Sequence, residues 1–220
     1  MMKIFLDTAN RELIKKLLPT GIVDGVTTNP SLLSKEGGDI KKVLADICAL
    51  VAGPVSVEVV EKQPDAVLKQ ARQIAAFAKN VVVKIPFAHE YLPVIKTLVA
   101  EGIPLNITLV FTPLQALLVA KLGVQYISPF LGRWDDIGVD SYALLEETMT
   151  IKELYDFDSQ ILAASIRSMA QWQKVAQTGA DVATIPPAVL EQVFKHPLTA
   201  QGIKQFDEDW QKLGVQNFFQ

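Results

Sequence analysis

The run "NVVVKIP", Asn80 to Pro86, has the β-branched density of a buried strand, yet it carries Lys84 where an apolar side chain belongs. An unpaired charge inside a protein is very costly. The simplest partner is Glu58, in the similar run "VSVEVV" from Val55 to Val60. A buried Lys84–Glu58 ion pair kept for stability alone makes a weak explanation, because such pairs add little net stability. A lysine shielded from water has a specific chemical use. Burial in apolar surroundings disfavours the ammonium form, and the neutral amine can attack a carbonyl to form a Schiff base. Lys84 therefore reads as a carbonyl-capturing nucleophile in a largely apolar pocket. Asp7 and Glu58 are the carboxylates placed to move the protons that imine chemistry needs.

A second group suits an anion. Arg133 lies in "FLGRWDD", and Ser165 and Arg167 lie in "AASIRS". Guanidinium forks with a hydroxyl between them match a phosphate better than they match a solvated surface. Asn29, Asn106, Thr108 and Phe130 also stand at or near the ends of apolar runs. Each has a plainer alternative: an Asn or Thr in a strand is often a satisfied structural group, and Asp7 could cap the helix that follows it. Thr27 and Ser128 are read as structural.

These residues need elements to hold them. Strand candidates are Lys3–Thr8, Val23–Thr28, Val55–Val60, Val81–Pro86, Leu105–Val110, Gln125–Phe130, Gln160–Ser165 and Asp181–Pro186. They lack the strict alternation of a half-exposed sheet, as parallel strands covered by helices do. Helical periodicity fills much of the rest: Asp39–Ala52, Pro64–Lys79 with its Pro-Asp start, Thr112–Gly123, and a terminal amphipathic helix over about 197–213. This is the count of a (β/α)8 TIM barrel, an α/β fold, in one domain spanning 1–220. An open doubly wound sheet is disfavoured because no G-x-G-x-x-G follows the first strand. In a (β/α)8 barrel the chemistry sits at the C-terminal strand ends, which is where the candidate residues fall.

Composition narrows the function classes. The chain has 220 residues, half of them hydrophobic, with a net charge of −3 and no basic run. Nucleic acid is not an expected partner, and no apolar run is long enough to suggest a membrane span. The start "MMKIFLDTAN" enters a strand directly and does not read as a leader. A single cysteine, Cys48, fits a reducing compartment, and a cytoplasmic location is expected. His89 and His196 stand in no ligand-spaced motif, so no metal site is expected.

Taken together, "FLDTAN", "GVTTNPSLL", "VVVKIP", "NITLVF", "ISPFLGR", "LAASIR" and "HPLTAQGIKQFDEDWQ" resemble the transaldolase family. The likeness is to its short branch, which also holds fructose-6-phosphate aldolases, and it runs from Ile4 to about Trp210. The resemblance implies a barrel that makes and cleaves ketose phosphates through a lysine Schiff base, with no metal or organic cofactor. It makes Lys84 the Schiff-base lysine and Asp7 the base for the C4 hydroxyl of the sugar. Glu58 and Thr108 become the pair that holds the catalytic water. Asn29 and Asn106 hold the dihydroxyacetone part, and Arg133, Ser165 and Arg167 form the phosphate clamp. In the aldolases a glutamine stands at the position of Glu58 and a tyrosine at that of Phe130. The pair here is the transaldolase pattern, which implies transfer to an aldose phosphate, with aldolase activity as the alternative. The resemblance further implies a homo-oligomer, a pentamer or a decamer, with the C-terminal helix crossing to a neighbour. Two phenylalanines in the tail "GVQNFFQ" would suit such packing. A catalytically dead sugar-phosphate-binding barrel would show a disrupted lysine or acid, and neither is disrupted.

Overall fold

Eight parallel strands pair in sequence order, and β8 closes back on β1. The computed structural model describes residues 1–214 and 217. In chain order the elements are β1 (Lys3–Asp7), α1 (Arg11–Leu17), β2 (Gly25–Thr27), α2 (Pro30–Glu36), α3 (Ile40–Leu50), β3 (Val55–Glu58) and α4 (Pro64–Ala75). They continue with β4 (Val81–Pro86), α5 (Leu92–Ala100), β5 (Leu105–Val110), α6 (Pro113–Ala120), β6 (Tyr126–Pro129), α7 (Leu131–Asp135) and α8 (Ser141–Leu154). The last are β7 (Gln160–Ala163), α9 (Met169–Gln177), β8 (Val182–Ile185), α10 (Pro187–Val193) and α11 (Pro197–Lys212). The fold is the (β/α)8 barrel with a C-terminal helix that the sequence suggests. Among the described residues no helix is long and apolar enough to cross a membrane.

The helix starts follow local chemistry. Pro64 and Pro113 occupy the first turn of α4 and α6, where a missing N–H costs nothing. Thr112 caps α6 in a reciprocal box with Gln115. Asn10 caps α1 by accepting from Leu13 N at 2.9 Å. Asp7 is thereby free of the capping role that the sequence left open for it.

The core has two compartments separated by the sheet. Outward-facing strand residues such as Leu6, Val26, Val83, Ile107 and Ile127 pack against the helices. Inward-facing Phe5, Val82, Tyr126, Leu162, Ala164 and Val182 form a separate apolar cluster within the barrel, with Phe130 against it. This plug fills the N-terminal half of the interior. The next inward positions, two residues on, are polar: Asp7 after Phe5, Lys84 after Val82, Ser128 after Tyr126 and Thr184 after Val182. Period-two alternation therefore stacks a polar layer directly on an apolar one.

Two non-glycine residues with left-handed backbone stand beside that polar layer. Leu109 (φ 55°) marks a register break in β5 between Ile107 and Val110, and Ser165 (φ 61°) follows β7. Such conformations cost of order 1–3 kcal/mol and persist where the surroundings over-determine them. Both residues line the cavity described next.

Candidate active site

A cavity of about 610 Å³ opens at the C-terminal end of the barrel. Asp7, Asn29, Glu58, Lys84, Asn106, Phe130, Arg133, Ser165 and Arg167 all line it. Thr108 is the exception among the expected residues. It lies fully buried beside the cavity, and its hydroxyl has no hydrogen-bond partner among the described residues. The cavity also gathers residues that the sequence did not single out: Ser31, Lys35, Leu109 and Thr184, together with Thr27 and Ser128.

Lys84 sits at its floor with 4 % of its surface exposed. Register places Glu58 directly opposite Lys84 and Asn106 on the other side. Lys84 Nζ is 3.1 Å from Glu58 Oε2 and donates to the carbonyl of Thr28 at 3.3 Å. The Phe130 ring lies over the same nitrogen at 5.9 Å to its centroid. The pocket is therefore not the largely apolar one expected from sequence. Its walls are mostly hydroxyl, amide and charged groups, with Phe130 as the main apolar surface beside the lysine. The physical reason is the alternation already noted: the apolar inward residues lie one layer deeper.

Asp7 is held from below. Thr27 Oγ1 donates to Asp7 Oδ1 at 2.9 Å, and Thr27 and Thr184 hydroxyls are 2.6 Å apart. Thr27 has one proton and gives it to the carboxylate, so Thr184 must donate to Thr27. Thr27 thus orients a candidate acid–base group rather than serving only the fold. Burial pushes the Asp7 carboxyl up from its usual range. The nearby Lys84 charge and the Thr27 hydrogen bond oppose that rise without cancelling it. A carboxyl raised in this way is better suited to exchange protons near neutrality.

Asn106 is fixed on both amide atoms, donating to Ser56 Oγ at 3.1 Å and accepting from Ser128 Oγ at 2.7 Å. Ser128, read as structural, therefore positions Asn106. Asn29 caps α2 by accepting from Leu32 N at 2.9 Å. Its oxygen is thereby engaged, and its NH2 is the group it can offer a ligand. Lone Ser and Thr residues in strands carry no distinguishing signal, which is why Thr27 and Thr184 about Asp7, and Ser56 and Ser128 about Asn106, could not be read as two networks.

The cationic group lies at the ends of β6 and β7. Arg133 stacks over Phe130 at 5.7 Å and takes part in no ion pair among the described residues. Arg167 is paired with Asp136. Gly132 lets the two segments meet. A Cβ there would stand 2.3 Å from the Ser165 carbonyl, 2.8 Å from Arg167 Nε and 2.9 Å from Ser165 Oγ. The absence of that Cβ allows Gly132 N to donate to Ser165 O at 3.1 Å. Chemically, the cavity offers a buried amine with a carboxylate on it, a second carboxyl raised above its usual range, and a cationic group. Among the described residues, no group of three or more His, Cys, Asp or Glu is gathered in a way that could hold a metal ion.

Known proteins with similar sequences match along nearly the whole chain. A protein named probable transaldolase from Phenylobacterium zucineum is 50% identical over 213 residues, covering 97% of this chain and 98% of its own. Another of that name from Aquifex aeolicus is 49% identical over 217 residues, covering 99% and 100%. Solved structures share the fold at lower identity. A chain described as a fructose-1,6-biphosphate aldolase from Coccidioides immitis is 15% identical with a TM-score of 0.57, covering 90% of this chain and 81% of its own. Inosine 5' monophosphate dehydrogenase from Legionella pneumophila, also 15% identical, has a TM-score of 0.60 over 84% of this chain and 58% of its own. At that identity the likeness concerns the barrel alone. The family model described as Transaldolase/Fructose-6-phosphate aldolase matches residues 4–217. With that match and relatives at about half identity, the chain belongs to the transaldolase/fructose-6-phosphate aldolase family.

Proposed function

We propose that the chain is a Schiff-base transaldolase, moving a dihydroxyacetone unit from a ketose phosphate to an aldose phosphate. The donor is fructose 6-phosphate or sedoheptulose 7-phosphate, and the acceptor is erythrose 4-phosphate or glyceraldehyde 3-phosphate. The carrying observation is Lys84, buried on the cavity floor, 3.1 Å from the carboxylate of Glu58. No role in stability accounts well for that placement.

In this reading the ketose enters with its phosphate toward Arg133, Ser165 and Arg167. Its C2 carbonyl meets Lys84 Nζ. Glu58 takes the amine proton as the C–N bond forms, and the carbinolamine loses water to give the imine. The buried, unpartnered hydroxyl of Thr108 supports a bound water at this step, since such a group calls for a partner. Asp7 accepts the C4 hydroxyl proton as the C3–C4 bond breaks, and an aldose phosphate leaves. A three-carbon enamine stays on Lys84, beside the NH2 groups of Asn29 and Asn106. Phe130 offers that enamine no proton and keeps water from its face. A second aldose phosphate then accepts the unit by the reverse steps.

The proposed setting is the pentose phosphate pathway of the cytoplasm. The proposed assembly is a homo-oligomer joined through α11. That helix has no buried residue, and it exposes Leu198, Ile203 and Phe206, with Leu213 exposed at its C-cap. Phe218 and Phe219, expected to share in such packing, lie outside the described residues. Sedimentation of the full chain against Phe206→Glu would show a monomeric variant if this assembly is right.

A paired assay tests the activity. Fructose 6-phosphate with erythrose 4-phosphate should give sedoheptulose 7-phosphate. Fructose 6-phosphate alone should give little free dihydroxyacetone. Borohydride added during turnover should fix a three-carbon adduct on Lys84, visible by mass, and Lys84→Met should abolish both product and adduct. Free dihydroxyacetone as the main product would make the protein a fructose-6-phosphate aldolase. Phe130→Tyr should move the wild type in that direction. An unchanged ratio of transfer to release in that variant would remove the role given to Phe130.

A further inference from the structure

Arg167 is held by a network that has no part in the proposed chemistry. Both of its Nη atoms engage the Asp136 carboxylate, with Nη2 2.8 Å from Oδ2. Its backbone N–H donates to Gln171 Oε1 at 2.6 Å, and Gln171 Nε2 donates in turn to Asp135 Oδ2. Two consecutive acidic residues at the end of α7 therefore grip one arginine, 31 residues further on, by its head and through its backbone.

The pair is half exposed, at 50% for Arg167 and 51% for Asp136. Surface ion pairs of this kind contribute little to stability, so holding the fold is a poor account of it. Orientation is a better one. A guanidinium presents five N–H groups in a rigid plane. With the Nη edge on Asp136, the Nε side is turned toward Gly132 and Ser165. Arg167 Nε and Ser165 Oγ both lie within 3 Å of the position a Gly132 Cβ would take, so the two donors are neighbours on the cavity wall.

We infer that Asp136 is a positioning residue for the phosphate end of the substrate: it fixes the guanidinium so that Arg167 Nε–H and the Ser165 hydroxyl face one anion, with Asp135 and Gln171 bracing the backbone. This rests on the proposed sugar-phosphate reading of the site. Asp136 also carries a negative charge close to where the phosphate would bind. That repulsion is weakened by solvent, because the group is exposed and charges in water are screened within about 8 Å at physiological salt. The arginine side chain without Asp136 must instead be ordered anew at each binding event, at a considerable entropic cost. Orientation therefore outweighs repulsion, and removing the carboxylate should weaken phosphate binding.

The test uses the full-length enzyme with fructose 6-phosphate and with unphosphorylated fructose as donors, and inorganic phosphate as a competitive inhibitor. In Asp136→Asn the KM for fructose 6-phosphate should rise about tenfold, as loss of one charge-assisted contact implies. The inhibition constant of phosphate should rise in parallel, with kcat within about twofold and turnover of fructose little changed. Gln171→Ala should shift the same quantities less, and Asp136→Glu should recover part of the loss. Unchanged or lower KM and inhibition constants in Asp136→Asn overturn the inference, the lower values meaning that the carboxylate competes with the phosphate. Equal losses on both donors also overturn it, since they indicate general packing. A wild type indifferent to the donor phosphate would remove the clamp reading itself; a discriminating wild type with unaffected variants removes only the role of Asp136.

Discussion

Glu58 and Lys84 are register partners on adjacent strands, and their side chains close to 3.1 Å in the interior of the barrel. The ion pair thus follows from the sheet, since parallel pairing sets the two residues opposite one another. Breaking one half leaves the other charge buried. Glu58→Gln should destabilise the protein by up to about 3 kcal/mol, somewhat relieved by Asp7 nearby. The double variant Glu58→Gln/Lys84→Met should regain much of the loss, because it removes the buried charge that the single variant strands. Urea denaturation of the two variants and the parent measures this directly. A double variant no more stable than the single one would mean that the pair contributes net stability of its own.

Asp7 should trade stability for activity. Burial raises its carboxyl above the ordinary value of 3.8. A group whose folded-state value is raised adds stability at low pH, and that contribution is lost as pH rises through the folded value. At neutral pH a buried Asp7 is therefore a burden on the fold. Asp7→Asn keeps an oxygen that can accept from Thr27. It should be more stable than the parent at pH 7, with the advantage shrinking as pH falls toward 4. Its kcat should drop at least a hundredfold. Melting curves across pH, with kinetics at pH 7, report both halves.

Thr108 offers the clearest separation of fold from chemistry. Its hydroxyl is buried and unpartnered among the described residues, so Thr108→Val removes a polar group that makes no bond there. Stability should rise by about 1 kcal/mol. If the hydroxyl holds the water used in imine formation, kcat should fall by roughly tenfold or more. A stable variant with full activity would show that Thr108 has no part in the reaction.

Gly132→Ala should act on the phosphate end. The added carbon meets the Ser165 carbonyl, a backbone atom that cannot swing aside. We expect a stability loss of about 1–3 kcal/mol and a raised KM for phosphorylated donors, with fructose affected less. Calorimetry together with the two-donor assay checks both.

Much of this architecture was legible in the residues. The strand cores came through because buried parallel strands are dense in Val and Ile, and β4 and β5 have the expected bounds. The other strands end one or two residues inside the expected limits. Apolar side chains continue past the last strand residue, as Val59 and Val60 do after β3. Lys84 and Glu58 stood out because charge in an apolar run is rare. The expected apolar pocket around Lys84 proves polar because the apolar strand residues divide between the plug below and the helices outside, a division the runs themselves do not mark. The hydroxyls of Thr27, Ser128 and Thr184 gain meaning only from neighbours on other strands. The grip of Asp135 and Asp136 on Arg167 depends on how two loops meet, which spacing along the chain does not encode.

The apolar plug of Phe5, Val82, Tyr126, Leu162 and Val182 lies one layer beneath the polar cavity and closes the barrel on that side. Arg133 and Arg167 line the same cavity as Lys84. In the proposed reaction, the first aldose phosphate and its successor would be held by the same cations. Sharing one site, they cannot be bound together, so the first must depart before the second arrives. Order is then imposed by occupancy rather than by recognition. Initial rates with both substrates varied should give parallel reciprocal plots, and each aldose should compete with the ketose for the unloaded protein.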